Sequence, residues 1–375
     1  MAPSTSREGI AVRVTREQVL AYRIAAQELH RGDTLPADLA VTELGVQDTP
    51  AGTARLAVSA RTTADPADDR LVMVWSTRGA PHLHRRADLA SVAEALWPLS
   101  DADARSRIAT TRIREGAKLG IAAFRAAATA MFDVVTGPMA KGAVSAAVTA
   151  RIPDSLTYWC PPCGSRHVSG GLFQQVGVFA GVRLVPDAPA TTLAPIDGWA
   201  GPPERAAGTG DLVRTYLRLL GPATETEVAA FLGTTRTELR RAWPADGLVE
   251  VEAAGRAAWL PEDGVDRLLD PPEPPALRLV PAGDPFLQAR DRPVVLPDPA
   301  RHREVWQAIS SPGVLLVDGD IGGTWRAKLA GRRTLEVTVT LFDGLPASLR
   351  ADLDAEVERI AAVRGVPDAR VLVSD

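Results

Sequence analysis

The chain has 375 residues, with 42 Lys and Arg against 46 Asp and Glu, a formal net charge of −4, 46% hydrophobic and 23% charged residues. At roughly 150 residues per domain, this length predicts two or three domains, and the composition excludes wholesale disorder. The sequence contains no run of about 18 apolar residues, so no membrane span is predicted. Residues 1–8 lack the pattern of a secretory leader, and 2 cysteines cannot form a disulfide framework. We therefore expect a cytoplasmic, multidomain protein, in which any nucleic-acid binding depends on local basic patches.

The N-terminal half predicts helices that alternate with short strands. Thr15 is expected to begin the first helix, because its hydroxyl can accept the backbone N–H of Gln18, and apolar residues at helical spacing extend it to about His30. The sequence next predicts a strand over 71–79, a helix over 88–97, helical segments over 101–133 and 136–148, and a hairpin of 155–160 with 166–170. Residues 185–210 are rich in Pro, Ala and Gly and predict a linker.

The segment 211–260 has the element order of a winged helix-turn-helix. A helix over 211–220 precedes a second helix that Thr224 and Glu227 can cap reciprocally, and Gly233 follows as the turn. A third helix over 235–243 and a hairpin over 247–260 complete the order. The helix over 136–150 and the hairpin over 155–170 repeat part of this plan, and the last hundred residues predict strands at 314–319 and 333–342 with a helix over 346–364.

Basic residues on the predicted third helix are candidates for DNA contact. The sequence has no Gly-rich phosphate loop, His-Glu-x-x-His motif or nucleophile elbow, so the simple enzyme motifs give no function. Arg236 and Arg240 share one helical face and Arg241 neighbours it. Arginine forks suit phosphate oxygens and guanine edges. The alternative is a solvated helix face in an arginine-rich protein.

The motif Cys160-Pro-Pro-Cys163-Gly has the form of a zinc knuckle, with His167 as a third possible ligand. A structural zinc takes four ligands, and the chain has no second cysteine pair. The alternatives are a degenerate knuckle, a site completed by His82 or His84, and a plain hairpin with two thiols. The missing fourth ligand favours the plain hairpin, so we expect no metal.

Two further stretches contain polar residues in patterns that suit a site. Arg78, His82, His84, Arg85 and Arg86 fall within nine positions directly after a predicted strand, which suits a negatively charged ligand or an ordinary polar loop. The stretch 47–50, Gln-Asp-Thr-Pro, is typical of a turn or a helix cap.

Five stretches together resemble the winged helix DNA-binding domain family that includes the AlkZ-like and YcaQ-like bacterial DNA glycosylases. They follow the family's order as 45-GVQDTPAGTARLAVSAR-61, 78-RGAPHLHRRADL-89, 214-RTYLRLLGPATETEVAAFLG-233, 281-PAGDPFLQARDR-292 and 313-GVLLVDGDIGGTWR-326. The resemblance implies an α+β fold of tandem winged helix-turn-helix units followed by a small C-terminal β-barrel. The units are expected at residues 1–100 with the candidate catalytic motif, 101–190 with the cysteine hairpin, 191–275 including the linker, and 276–375 for the barrel and its closing helix.

The resemblance also implies site residues. Characterised members carry a Gln-x-Gln or Gln-x-Asp pair that orients a water against C1′ of the damaged nucleoside. Gln47 matches the first Gln, Thr49 stands where the second Gln or an Asp is expected, and a shift of register offers Asp48 instead.

A tryptophan-bearing segment of the family matches the C-terminal module. Its Gly-x-Trp sequence corresponds to Trp325, and the basic residues that follow form a hairpin suited to a DNA groove, namely Lys328, Arg332 and Arg333.

These observations lead to a first hypothesis of a monofunctional glycosylase that excises bulky N7-alkylated purines or unhooks interstrand crosslinks. It would act in DNA repair or protect a producer against its own genotoxic metabolite. The expected partner is double-stranded DNA, the expected state a monomer, and no cofactor is expected. The residues expected to contact the DNA are Arg78, His82, His84, Arg236, Arg240, Arg241, Trp325, Lys328, Arg332 and Arg333. The second hypothesis is a non-catalytic DNA-binding protein on the same scaffold, and a third is a protein that sequesters a planar small molecule in the cleft.

Overall fold

Local capping signals begin two of the helices where they were predicted. The computed structural model describes residues 12–374, and residues 1–8, on which the absence of a leader was predicted, lie outside this range. The Thr15 hydroxyl accepts the backbone N–H of Gln18 at 3.2 Å, and the Gln18 side chain accepts the N–H of Thr15 at 2.9 Å. Thr224 and Glu227 make the same pair of bonds at 3.3 and 2.8 Å. Both predicted capping boxes are confirmed.

The helices and strands give an α+β architecture. The α-helices are α1 (Arg16–Ala26), α2 (Thr53–Ser59), α3 (Leu89–Leu96), α4 (Asp101–Ile108), α5 (Arg114–Ala117), α6 (Ile121–Val134), α7 (Lys141–Thr149), α8 (Gly170–Gln175), α9 (Thr209–Leu220), α10 (Glu225–Leu232), α11 (Arg236–Leu239), α12 (Val265–Leu269), α13 (Arg292–Val295), α14 (His302–Val305) and α15 (Arg350–Val363). The strands are β1 (Val12–Val14), β2 (Val46–Gln47), β3 (Leu71–Trp75), β4 (Pro81–Arg85), β5 (Met139–Ala140), β6 (Thr157–Cys160), β7 (Ser165–Val168), β8 (Val182–Leu184), β9 (Thr192–Pro195), β10 (Leu248–Ala253), β11 (Arg256–Pro261), β12 (Leu277–Val280), β13 (Gly313–Val317), β14 (Asp320–Ala330), β15 (Thr334–Leu341) and β16 (Asp368–Ser374). In the part of the chain that the structure describes, no helix is both long and apolar enough to cross a membrane.

A six-stranded sheet joins the first two predicted units. Its order is β2-β4-β3-β8-β9-β5, so strands from both sides of the boundary expected near residue 100 share one sheet. Strand β9 lies inside the predicted linker, and its residues Leu193 and Ala194 are buried. That part of the segment therefore belongs to the folded core, because two strands flank it on the sheet.

The third segment has the predicted order of helix, helix, short helix and hairpin. Helices α9, α10 and α11 precede the antiparallel pair β10–β11, and β1 adds to β10 in parallel. The third helix is shorter than predicted, because α11 ends at Leu239 rather than Trp243. Pro244 disfavours helical backbone at the residue before it, which limits the C-terminal extension of α11.

The C-terminal module is an open sheet, so the expected barrel is wrong. Its five strands run in the order β12-β13-β14-β15-β16, and within residues 12–374 the two edge strands do not pair with each other. Helix α15 instead packs against both β12 and β16. Leu56 of α2 belongs to the same buried cluster as Leu353 and Val357 of α15, so the N-terminal segment covers this module as well. A covered sheet has no need to close on itself to bury its apolar face.

Candidate active site

Gln47 lies at the end of β2, on the edge of the six-stranded sheet, and is half-buried. It pairs with His82 of β4, and residues directly opposite in an antiparallel pair share one face. Gly283, with φ of +74°, approaches this face so closely that a Cβ atom there would lie 3.6 Å from Nε2 of Gln47 and 3.1 Å from the Thr49 carbonyl oxygen. A side chain at position 283 would therefore press on the Thr49 carbonyl oxygen and touch the amide of Gln47.

The guanidinium group of Arg78 contacts the Gln47 side chain and links it to a second amide and a second guanidinium group. Nη2 of Arg78 donates to Oε1 of Gln47 at 3.4 Å and to Oε1 of Gln288 at 3.1 Å. Nη2 of Arg290 donates to the same Gln288 oxygen at 3.4 Å. Arg78 also donates to the Phe231 carbonyl oxygen and stacks on the Phe231 ring, 5.3 Å from its centroid. Gln47 is thus attached to residues that are distant in sequence.

The two arginines place concentrated positive charge beside the amides. Burial, and then the charge of Arg290, lower the pKa of Arg78 to about 9. Burial also lowers the pKa of Arg290. Below pH 9 Arg78 remains mostly protonated, so an anion such as a phosphate that approached this pair would gain from both charges.

Asp48 points to the opposite side of the sheet from Gln47. Its backbone N–H donates to the Pro81 carbonyl oxygen at 2.8 Å, which continues the pairing of β2 with β4. Side chains alternate between the two faces along a strand. Its carboxylate accepts the backbone N–H of Ala54 at 2.9 Å, at the start of α2, and burial raises its pKa. The Thr49 side chain is exposed and has no hydrogen-bond partner within the described residues. The Asp48 side chain therefore accepts a hydrogen bond at a helix start, whereas the backbone carbonyl oxygen of Thr49 faces Gly283.

The residues around Gln47 lie within a segment that matches a known family. The sequence profile of the family described as "DNA glycosylase AlkZ-like" matches residues 42–363. The chain belongs to the AlkZ-like DNA glycosylase family. Among solved structures, Streptomyces sahachiroi DNA glycosylase AlkZ is similar with a TM-score of 0.75 and 20% sequence identity, over 97% of this chain and 100% of that chain. At this identity the likeness is one of fold, and among curated proteins no sequence match was found.

The two histidines expected to contact DNA in this AlkZ-like protein are internal, so that expectation is corrected. His82 and His84 are 2% and 1% exposed. His82 Nδ1 donates to the Ala80 carbonyl oxygen at 2.9 Å, and a 2.9 Å hydrogen bond joins His84 Nε2 to the Ser76 hydroxyl. Burial lowers the pKa of His82 to about 3 and that of His84 to about 4. Both rings are therefore neutral at physiological pH and act in packing the sheet.

Trp325 is also internal rather than at a DNA-facing surface. It is 4% exposed, and its indole N–H donates to the Val280 carbonyl oxygen at 2.9 Å. A Cβ atom at Gly313 would lie 2.4 Å from the Trp325 ring, so the glycine of the neighbouring strand makes room for it. The Gly-x-Trp segment of this AlkZ-like chain therefore acts inside the C-terminal sheet, where Trp325 of β14 bonds across β13 to β12.

The other predicted DNA contacts are exposed, and most are paired with acidic groups. Arg236 and Arg240 both donate to one oxygen of Glu225, at 2.6 and 2.8 Å, while Arg241 lies 3.3 Å from Glu238. On the C-terminal hairpin, Lys328 lies 2.6 Å from Glu336 and Arg333 lies 3.8 Å from Asp368. Arg332 is exposed and has no acidic partner among residues 12–374. These cations reach solvent, and intramolecular carboxylates already balance much of their charge.

Sequence reasoning missed Gly283, Gln288 and Arg290. All three lie in the stretch 281–292 that carries part of the family resemblance, so the resemblance marked the segment but not its role. Their nearness to Gln47 depends on contacts across more than 230 positions, which no local pattern encodes.

Proposed function

We propose that this chain is a monofunctional DNA glycosylase that excises bulky N7-alkylated purines from double-stranded DNA, including purines in interstrand crosslinks. The observation that carries the proposal is the Gln47 amide, which is half-buried, neutral, and held between Gly283 and Arg78. The family supplies the reaction class, and the surroundings of Gln47 support its role in that reaction.

Hydrolysis of an N7-alkylated purine nucleoside requires the protein mainly to position a water molecule. N7 alkylation gives the purine a positive charge, so when the C1′–N9 bond breaks the base leaves as a neutral molecule with the bonding electrons. A water oxygen then bonds to C1′ of the oxocarbenium-like sugar and releases a proton to solvent. A glutamine can accept a hydrogen bond from that water through Oε1 and donate through Nε2, which orients the water without a strong base.

The positions of the lysines favour direct hydrolysis by water, without a covalent bond between the protein and C1′. A bifunctional glycosylase needs an amine that bonds covalently to C1′. Lys118 is paired with Glu115, and Lys328 with Glu336. The Lys141 ammonium lies 5.5 Å from the Trp75 ring. Lys141, Trp75 and Asp48 all line one cavity of about 440 Å³. Because Asp48 and Gln47 face opposite ways, Lys141 is on the other side of the sheet.

The arginines near Gln47 suit the DNA backbone. Guanidinium groups repel a cationic base but attract phosphate, so we infer that Arg78 and Arg290 hold the phosphates that flank the lesion. We further propose that the helix-and-hairpin units act as winged helices along the duplex, with Arg236, Arg240 and Arg332 among the exposed contacts. In this proposal the protein works as a cytoplasmic monomer, either in general repair or in self-resistance to a genotoxic metabolite.

The test is base release from duplexes that each carry one defined N7-alkylpurine, with abasic sites revealed by alkaline cleavage. The expected result is release well above spontaneous depurination for at least one bulky lesion. Binding to every lesion duplex without release above the protein-free control would reject the enzyme.

One observation favours a non-catalytic DNA-binding protein as the second candidate. Thr49 stands where the family pair has a second amide or carboxylate, and its exposed side chain has no partner among the described residues. The variant Thr49→Gln separates the two candidates, because it supplies the amide beside Gln47. An active enzyme should gain base release from it, whereas a pure binding protein should keep its affinity and remain inactive.

A further inference from the structure

The hairpin β6–β7 brings three metal-binding side chains to one place. Cys160 ends β6, Cys163 closes the turn, and His167 lies in β7 opposite Tyr158. Residues 158 and 160 share a face of the strand, so the register also puts His167 on the face of Cys160. The three donor atoms lie within 4.8 Å of one another.

The turn itself has the shape of a metal knuckle. Pro161–Cys163 form one turn of 3₁₀ helix, and Gly164 follows in the left-handed region with φ of +59°. Gly adopts this conformation without strain, and the two prolines stiffen the turn that separates the thiols. Both cysteines are free thiols, and Cys163 is exposed, so a metal ion can reach them from solvent.

We propose that Cys160, Cys163 and His167 bind one zinc ion, with water as the fourth ligand. Donors around tetrahedral zinc, with bonds of about 2.3 Å, stand roughly 3.7 Å apart, so small side-chain rotations close the site. Binding releases a proton from each thiol to solvent, and no oxidation is involved. The sequence favoured a plain hairpin because a fourth protein ligand is missing. A water molecule can occupy that position, as it does in established zinc sites with three protein ligands.

The hairpin also gains from such a site. A two-stranded sheet is marginal by itself, and this one leaves Trp159 58% exposed. His82 and His84, the other candidates for completing the site, are fixed inside the six-stranded sheet. The ligand set is therefore confined to the hairpin, and zinc would join its two strands across the turn.

The direct test is Co²⁺ titration of the reduced, metal-stripped full-length protein, followed by displacement with Zn²⁺. The proposal predicts the visible bands of tetrahedral thiolate-bound cobalt, saturation at one equivalent, and their loss on zinc addition. Cys160→Ser and Cys163→Ser should each remove the thiolate bands, and His167→Ala should weaken Co²⁺ binding at least tenfold. Trp159→Phe, which alters an exposed residue of the same hairpin but keeps all three donors, is the matched control and should bind like wild type.

The readout does not depend on base release, so it is separate from the glycosylase proposal. Absence of cobalt bands in reduced, folded wild-type protein would overturn the zinc site. Bands that persist in Cys160→Ser or Cys163→Ser would equally overturn it, because the metal would then lie elsewhere. Unfolding of a cysteine variant is detected by circular dichroism, and His167→Ala then provides the decisive comparison.

Discussion

At the residue scale, the sheet separates two side chains that neighbour each other in sequence. Gln47 faces Gly283 and Arg78, whereas Asp48 accepts the Ala54 N–H at the start of α2. A carboxylate committed to a helix N-terminus has a structural task. Asp48 is thus engaged at the start of α2, and we propose Gln47 and Thr49, rather than Gln47 and Asp48, as the residues that face the reacting sugar.

The first prediction follows for Asp48→Asn. Asparagine keeps an acceptor for Ala54 but loses the negative charge, so we expect a loss of about 1 kcal/mol in the free energy of unfolding, typical of a weakened cap. Base release at a temperature below the unfolding transition should stay within about threefold of wild type, since no contact to the sugar is removed. A 100-fold loss of base release with unchanged stability would place Asp48 in the active site.

The second prediction concerns the pH dependence of stability set by His82 and His84. Burial lowers their pKa values to about 3 and about 4, below the unfolded value of about 6.5. Between these values the unfolded chain binds more protons than the folded chain, so stability falls as pH decreases from about 6.5 towards 4. Each histidine contributes a slope of at most about 1.4 kcal/mol per pH unit.

Urea denaturation at pH 7.5, 6.0 and 5.0 measures this slope. His82→Asn should flatten the decline, whatever its effect on stability at pH 7.5. A profile for His82→Asn that runs parallel to wild type would show that His82 is not buried in its neutral form.

At the scale of elements, the exposed cations of α11 are restrained by an acidic residue of α10. Glu225 accepts from both Arg236 and Arg240, so these arginines must exchange a carboxylate for a phosphate when DNA binds. That exchange reduces the net gain from each contact. Modest DNA affinity is the expected consequence, despite the number of basic residues.

The third prediction is that Glu225→Gln strengthens DNA binding. Two freed guanidinium groups can each neutralise a phosphate, which steepens the fall of log affinity with log salt by about 0.9 for each added contact. Fluorescence anisotropy with an undamaged duplex at several salt concentrations measures both quantities. Glu250→Gln, an exposed glutamate on β10, changes the charge equally and serves as the control. Equal effects of the two variants would mean that overall charge, not release of the arginines, explains the result.

Elements were most predictable where the signal was local. The capping boxes at Thr15 and Thr224 need only residues three positions apart, and both helices begin there. Strand β9 and the open C-terminal sheet were missed, because they depend on partners far along the chain. A Pro- and Ala-rich segment has the composition of a linker even when a neighbouring strand orders it.

The same distinction explains which site residues were predictable. The resemblance identified Gln47 from its own segment, but nothing local revealed Gln288 and Arg290 as its neighbours. His82 was expected at a DNA surface because it lies in a basic cluster that follows a strand, and Trp325 because its segment resembles the family's Gly-x-Trp sequence. Their burial depends on acceptors such as the Val280 carbonyl oxygen, which only the folded chain brings near.

At the scale of the whole molecule, buried ion pairs join the stretches that surround Gln47. Arg61 and Asp284 are fully buried and make two hydrogen bonds of 2.8 Å, and Arg23 pairs with Asp291 at 2.6 Å. Both acidic partners lie in or beside the segment that contains Gly283 and Gln288. These pairs therefore hold one wall of the candidate site against the N-terminal segment.

The fourth prediction is that Asp284→Asn damages both stability and the site. Removing one charge of a buried pair leaves Arg61 uncompensated, at a cost of about 3–5 kcal/mol. Base release should fall even at temperatures where the variant is folded, since Gly283 and Gln288 lose their anchor. Asp38→Asn breaks the exposed pair with Arg70 and should leave the denaturation midpoint nearly unchanged. A midpoint for Asp284→Asn equal to that of Asp38→Asn would disprove the anchoring role.

The most direct measurement is the single-turnover rate of base release from one N7-alkylpurine duplex, compared between wild type and Gln47→Ala. The account predicts a loss of about 100-fold or more in Gln47→Ala, because a contact that places water is removed. DNA affinity should be nearly unchanged, because Gln47 itself is not one of the proposed phosphate contacts. Equal rates for the two proteins, with wild type well above spontaneous depurination, would contradict the assignment of Gln47 to the active site.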